Sequence, residues 1–91
     1  MNQNVTAKTV ILNKLGLHAR AAAKLVEAAA RFQSTIFIIK DGDKVDARSI
    51  LGLMMLNARI GSHIEVSAEG GDAEEALTAV LALIDAKFGE D

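Results

Sequence analysis

The 91-residue chain has no cysteine, proline, tryptophan or tyrosine, and three phenylalanines are its only aromatic residues. Without cysteine there is no disulfide framework, no thiolate nucleophile and no cysteine-type zinc site. With so few aromatic rings the chain has no platforms on which nucleotide bases could stack. Ala, Leu, Ile, Val and Met must then fill the core. Charge of one sign is also scarce: the formal net charge is −2 and basic and acidic residues are interspersed, so there is no concentrated basic face of the kind nucleic acids select. No apolar run approaches the roughly 20 residues of a membrane helix, and residues 1–6 are polar, without the apolar stretch of a secretory signal. These absences lead to the expectation of a cytoplasmic protein that binds neither nucleic acid nor membrane. The two histidines fall on different elements, and no Asp, Glu or Cys set has ligand spacing, so no metal is expected. No cofactor is implied either.

What is present is enough for one core: 51% of residues are apolar, and the length suits one domain spanning residues 1–91. Residues 5–12 alternate as a strand. Residues 19–32 change to a helical period, with Ala22, Leu25, Val26, Ala29 and Phe32 on one face. Residues 35–40 are β-branched and aromatic, a strand. Asp41-Gly42 is a hairpin signal, followed by a more polar edge strand over residues 43–47. Residues 49–56 read as a short helix and residues 63–69 as a strand with one wet face. Asp72 reads as an N-cap with Glu75 three residues on, a capping-box pattern opening a helix that runs to about Phe88, with Gly89 as its stop. The order β-α-β-β-α-β-α predicts an α+β two-layer open-faced sandwich, with a mainly antiparallel four-stranded sheet and three helices on one face.

Gly16-Leu17-His18-Ala19-Arg20 carries the most chemistry. His18 falls where a loop meets a helix start, where unpaired N–H groups and the positive end of the helix dipole favour anions. Arg20 adds a guanidinium fork suited to phosphate oxygens. An imidazole nitrogen can accept a phosphoryl group and release it, because the P–N bond is labile. By position alone, a histidine at a helix start is more often a solvated or capping residue. His63, which alternates with Ile64, is expected to be solvated or structural. Ser49 reads as an N-cap. Leu53 and Leu56 fall on one side of its helix, and Ile50, Leu51, Met54 and Met55 form an apolar ridge on the other. Such a ridge is a candidate partner surface, and its methionines make it adaptable.

The stretch from Gly16 to Arg20, the following Lys24-Leu25-Val26 and the second stretch Arg48-Ser49-Ile50-Leu51-Gly52-Leu53-Met54-Met55-Leu56 together resemble the two motifs of HPr. HPr is the histidine-containing phosphocarrier of the bacterial phosphoenolpyruvate-dependent phosphotransferase system. The resemblance covers nearly the whole chain and implies the sheet order 1-4-2-3. It implies phosphorylation of His18 at Nδ1 by enzyme I, with Arg20 steadying the phosphate, and transfer to a histidine of enzyme IIA. It further implies a regulatory site at Ser49, used by HPr kinase/phosphorylase where that enzyme exists, docking on Ile50, Leu51, Met54 and Met55, and a carrier that is not a turnover enzyme; monomer is the default expectation. Nitrogen-type members with the same histidine chemistry, not coupled to sugar uptake, are the alternative. Ala21 stands where most members have proline, so the helix should stay intact with a slightly looser phosphate loop and one extra donor. Gly52 stands where many have a basic residue.

Overall fold

The period-two segments pair as one antiparallel sheet, and the segments of helical period lie across one of its faces. The computed structural model describes residues 3–90 in the order β1 (Gln3–Val10), α1 (Ala19–Ala30), β2 (Thr35–Lys40), β3 (Asp43–Asp46), α2 (Ile50–Met55), β4 (His63–Gly70) and α3 (Ala73–Asp85). The sheet order is β1-β4-β2-β3, as the resemblance implied. Register follows the alternation. Val5 faces Ala68 and Ile38 faces both Val66 and Val45, so that Ile36, Ile38, Ile64, Val66 and Ala68 form the buried side. The other side is open, with Thr6 donating to Glu65 and the Lys44 ammonium 4.2 Å from the Phe37 ring centre. His63 is exposed on this open face, as expected. Asp41 and Gly42 both take positive φ, 52° and 85°, the conformation that an Asp-Gly hairpin turn requires.

Because β4 lies between β1 and β2, β1 and β2 run parallel and α1 is the crossover between them. That crossover puts the loop before α1 at the sheet end where the chain also turns into β4. Ile11, fully buried, ends the first strand two residues earlier than its apolar character suggested: its N–H donates to Ser62 O and its carbonyl accepts from Gly61. The first helix likewise stops at Ala30 rather than Phe32. Arg31 and Phe32 close tighter bonds to Ala28 and Ala29, and the Arg48 guanidinium takes the freed Phe32 carbonyl at 2.9 Å.

Two expectations for the last helix are corrected. The Asp72 carboxylate does not cap α3. It accepts instead from the N–H groups of Gln33 and Ser34, at 3.0 and 2.9 Å, and from the Ser34 hydroxyl. The reason is that the chain entering β2 turns beneath α3 with two backbone donors unpaired, and a carboxylate satisfies both. These bonds, led by the Ser34 hydroxyl, hold the Asp72 carboxyl below its ordinary value. Nor does the helix continue to Phe88. It ends at Asp85, and Lys87 and Phe88 adopt φ of 58° and 55°, reversing the chain into a short turn that buries the Phe88 ring. A continued helix would have carried Glu90 away from the first loop; the reversal brings it back.

Candidate functional site

His18 is held by a loop that is itself pinned from below. The Leu17 side chain is buried and its N–H donates to Ala58 O at 2.8 Å. Gly16, at φ 66°, lies flat against residues 58 and 59, where a Cβ would sit 2.5 Å from Ala58 O. Asn13 is fully buried, and its Nδ2 donates to Gly16 O at 2.7 Å, closing the loop from the inside. His18 then takes the N-cap position of α1 with extended backbone, and its side chain makes no capping bond. The first intrahelical bond runs from Ala22 N–H to His18 O, so the amides of Ala19, Arg20 and Ala21 have no helical acceptor. The helix begins at Ala19 with alanine at position 21, whose methyl is fully buried.

The imidazole is one-quarter exposed. Its Nε2 meets the Glu90 carboxylate, while Nδ1 has no hydrogen-bond partner among the described residues. The other Glu90 oxygen accepts from Asn13 Nδ2 at 2.9 Å. Asn13 thus braces both the loop and the acid. The Asn13 hydrogen bond, then the bond to His18 and the charges of His18 and Arg20, hold the Glu90 carboxyl below its ordinary value; partial burial opposes them. Arg20 itself is exposed and in no ion pair among the described residues, its charge left facing the hollow it shares with Lys14, Lys24 and Glu90.

A pH dependence follows. Since the folded carboxyl titrates below its ordinary 4.5, the Glu90 contact is fully present above that value and is lost as pH falls through the lower folded one. The Glu90 carboxyl resonance should show a midpoint clearly below 4.5. A midpoint at or above 4.5 would mean that the carboxylate does not dock on Asn13 and His18.

The second helix supplies the neighbouring surface. Leu53 and Leu56 are buried, whereas Leu51 and Met55 are 69% and 76% exposed and Ile50 and Met54 are also exposed, which is the two-sided pattern read from the sequence. Met54 lines a hollow together with His18, Leu17, Ala58, Arg59 and Ile60. Ser49 caps the far end of α2, accepting from Gly52 N–H at 3.0 Å. The structure therefore brings His18 and Met54 to one hollow and Arg20 and Glu90 to another, and it leaves Ser49 at the opposite end of the ridge. Sequence reasoning missed Asn13, Glu90 and the exposed Ile60. Glu90 lies 72 positions from His18, and no periodicity links them. Among the described residues no group of three or more His, Cys, Asp or Glu side chains is placed to hold a metal ion. No helix of the described residues is long and apolar enough to cross a membrane.

Comparison with known proteins identifies the family. The family described as "PTS HPr component phosphorylation site" matches residues 5–86. The chain is 52% identical over 82 residues to a phosphocarrier protein HPr of Cupriavidus necator, covering 90% of this chain and 92% of that one. It is 48% identical over 83 residues to a phosphocarrier protein NPr of Shewanella violacea, covering 91% of each. The crystal structure of an HPr from Thermoanaerobacter tengcongensis superposes with a TM-score of 0.91 at 47% identity, over 96% of this chain and 98% of that one. With its motifs, its sheet order and these relatives in agreement, the chain belongs to the HPr family of phosphocarrier proteins.

Proposed function

We propose that His18 accepts a phosphoryl group at Nδ1 from phospho-enzyme I and passes it to a histidine of an enzyme IIA. The observation that carries this reading is the asymmetry of the ring: Nε2 is occupied by Glu90, and Nδ1 is open beside a helix start with three amides free of helical acceptors. Those amides and the Arg20 guanidinium supply donors and positive charge for phosphate oxygens, and catalysis of phosphoryl transfer is mostly positioning and charge stabilisation. The chain, acting as one unit over residues 1–91, is a substrate of one protein and a donor to the next rather than a turnover enzyme. It works as a cytoplasmic monomer.

The partners dock on the ridge of Ile50, Leu51, Met54 and Met55, which adjoins His18 through Met54. Incubation with phosphoenolpyruvate, Mg²⁺ and enzyme I tests the reading: intact mass should rise by one acid-labile phosphoryl group. A native chain left unmodified by an enzyme I that is active on another HPr would sink it. A nitrogen-type branch is a second reading, favoured by the 48% identical NPr relative. Offering the phosphorylated chain to a sugar-type and a nitrogen-type enzyme IIA separates the two by which one takes the group.

Ser49 is the regulatory site in this proposal, open to HPr kinase/phosphorylase where that enzyme exists. A phosphate there would stand at the start of α2, so the helix tolerates it, but it would also stand beside exposed Ile50 and Leu51, with glycine and no cation at position 52. The pure phospho-Ser49 form should accept phosphoryl groups from enzyme I roughly tenfold or more slowly, through charge repulsion and desolvation on the docking face, with no fall in its melting temperature. An unchanged rate would show that the ridge is not the docking face.

A further inference from the structure

The segment after α3 takes a conformation that side chains seldom adopt. Lys87, Phe88 and Gly89 follow one another with φ of 58°, 55° and 75°, all in the left-handed region, and two of the three carry side chains. Such a turn persists only where its surroundings hold it. Three holds are present. The Phe88 ring is buried in the core. The Glu90 carboxylate receives Asn13 and His18. Between them the Lys24 ammonium, reaching up from α1, donates to the Phe88 carbonyl at 2.5 Å.

That middle hold matters most for direction. The carbonyl of Phe88 belongs to the peptide joining it to Gly89, and the tilt of that peptide sets where Glu90 points. Lys24 makes no ion pair with a carboxylate among the described residues, although Glu27 is three positions on in the same helix; its ammonium is turned to the tail instead. The packing there is close, since a Cβ on Gly89 would meet Lys24 Nζ at 3.3 Å. A charge-assisted bond to a carbonyl is among the stronger local restraints available.

We propose that Lys24 is a positioning residue for phosphoryl transfer at His18: by holding the Phe88 carbonyl it fixes the left-handed turn that delivers the Glu90 carboxylate to His18 Nε2. This rests on the reading of His18 as the acceptor. With the carboxylate on Nε2, the ring's proton stays there and Nδ1 keeps its lone pair. In the transfer, that lone pair forms the N–P bond as the bond between phosphorus and the atom that carries it on phospho-enzyme I breaks, with its electron pair left on that atom. The ring becomes cationic and is paired with Glu90, and its Nε2 proton does not move. Passing the group on breaks the Nδ1–P bond and returns the same neutral tautomer. Lys24 touches none of the reacting atoms and acts through the tail alone.

The test compares Lys24→Met, Lys24→Arg, Glu90→Gln and the Lys24→Met/Glu90→Gln double variant, each first shown to keep a dispersed amide spectrum. Ring ¹⁵N spectra of the free protein at a pH where His18 is neutral report the tautomer, with no partner present. Lys24→Met should lower the docking equilibrium constant of the tail roughly tenfold, the loss of one hydrogen bond to a charged group, and shift the His18 tautomer ratio in the direction that Glu90→Gln shifts it. Lys24→Arg should restore the native spectrum, because a guanidinium can still donate to the carbonyl. Transfer from phospho-enzyme I should slow roughly fivefold in each of Lys24→Met and Glu90→Gln, and no further in the double variant, since the two share one route. A native ring spectrum in Lys24→Met overturns the proposal, and slowed transfer alongside that spectrum would assign Lys24 to the partner's surface. Fully additive rate losses overturn it as well. If the native chain takes no phosphate at all, the role in transfer falls with the reading of His18, and the ring spectra, which need no phosphate, tell that failure from a failure of the Lys24 coupling.

Discussion

Replacing His18 by alanine should abolish phosphorylation by phosphoenolpyruvate and enzyme I while leaving the fold in place. The chemical half of this expectation rests on the ring. No other side chain at this helix start is a nucleophile that can hold a phosphoryl group, because its neighbours are Leu17, Ala19 and Arg20. The remaining histidine, His63, is exposed on the open face of the sheet, opposite the helices. The rate of phosphoryl uptake should fall at least about 10⁴-fold, the scale on which removing a nucleophile acts. The structural half rests on how little the ring supports. It is one-quarter exposed, it makes no capping bond, and its one side-chain hydrogen bond among the described residues is to Glu90. Stability should change by no more than about 1 kcal/mol. Intact mass after the phosphorylation reaction and a thermal melt check the two halves separately. A phosphoryl group still carried by the alanine variant would move the acceptor to His63. A variant that fails to fold would mean that the ring is a core residue after all.

The parts of the fold legible in the sequence are those set by local physics. The β-branched run from Thr35 to Lys40 has no stable alternative to a strand, and Asp41-Gly42 needs only its own φ preferences to turn the chain. The two-sided helix at residues 50–55 was readable because a short helix on a sheet buries one stripe, which fixed Leu53 inside and Met55 outside. Where local signals misled, a distant group with unmet hydrogen bonds had prevailed. Asp72 has the position and chemistry of an N-cap, but the amides of Gln33 and Ser34, 39 and 38 positions away, take its carboxylate. Residues 86–90 read as a helix end in isolation. The buried Phe88 ring and the Lys24 ammonium turn them instead.

The site divides along the same line. His18, Arg20 and the amides of the first turn come from one short stretch, so their juxtaposition is a property of helix geometry and could be read directly. Glu90 and Asn13 could not, because their meeting depends on how the whole chain closes. Asn13 is fully buried and Lys24 is turned to the tail, placements that no local pattern around either residue specifies. The strand order lies in the same class. Alternation names the buried face of each strand but leaves its neighbours open, and it was the resemblance to HPr that implied β1-β4-β2-β3.

Gly16→Ala should cost the protein both stability and phosphoryl uptake. At φ 66° an alanine pays the left-handed penalty of about 1–2 kcal/mol. Its Cβ would in addition stand 2.5 Å from Ala58 O and 2.9 Å from Arg59 Cα, and both are backbone atoms that cannot swing aside. The loop must lift, and two bonds are then at stake: Leu17 N–H to Ala58 O at 2.8 Å and Asn13 Nδ2 to Gly16 O at 2.7 Å. A loss of about 3 kcal/mol or more is expected from strain plus these bonds. Phosphoryl uptake should fall at least about tenfold with His18 and Arg20 both present, because a shift of an ångström in the nucleophile is enough. Gly42→Ala is the matched control. It has φ 85° but nothing within 4 Å of its Cβ, so it bears the conformational penalty alone, at the far hairpin, and should leave uptake unchanged. Urea denaturation and transfer rates on the two variants separate strain from contact. If both lose the same stability and both keep the native rate, the close approach of residue 16 to residues 58 and 59 does not position His18. If only Gly16→Ala loses the rate, the seat of the nucleophile is the turn that leads to the helix as much as the helix start itself.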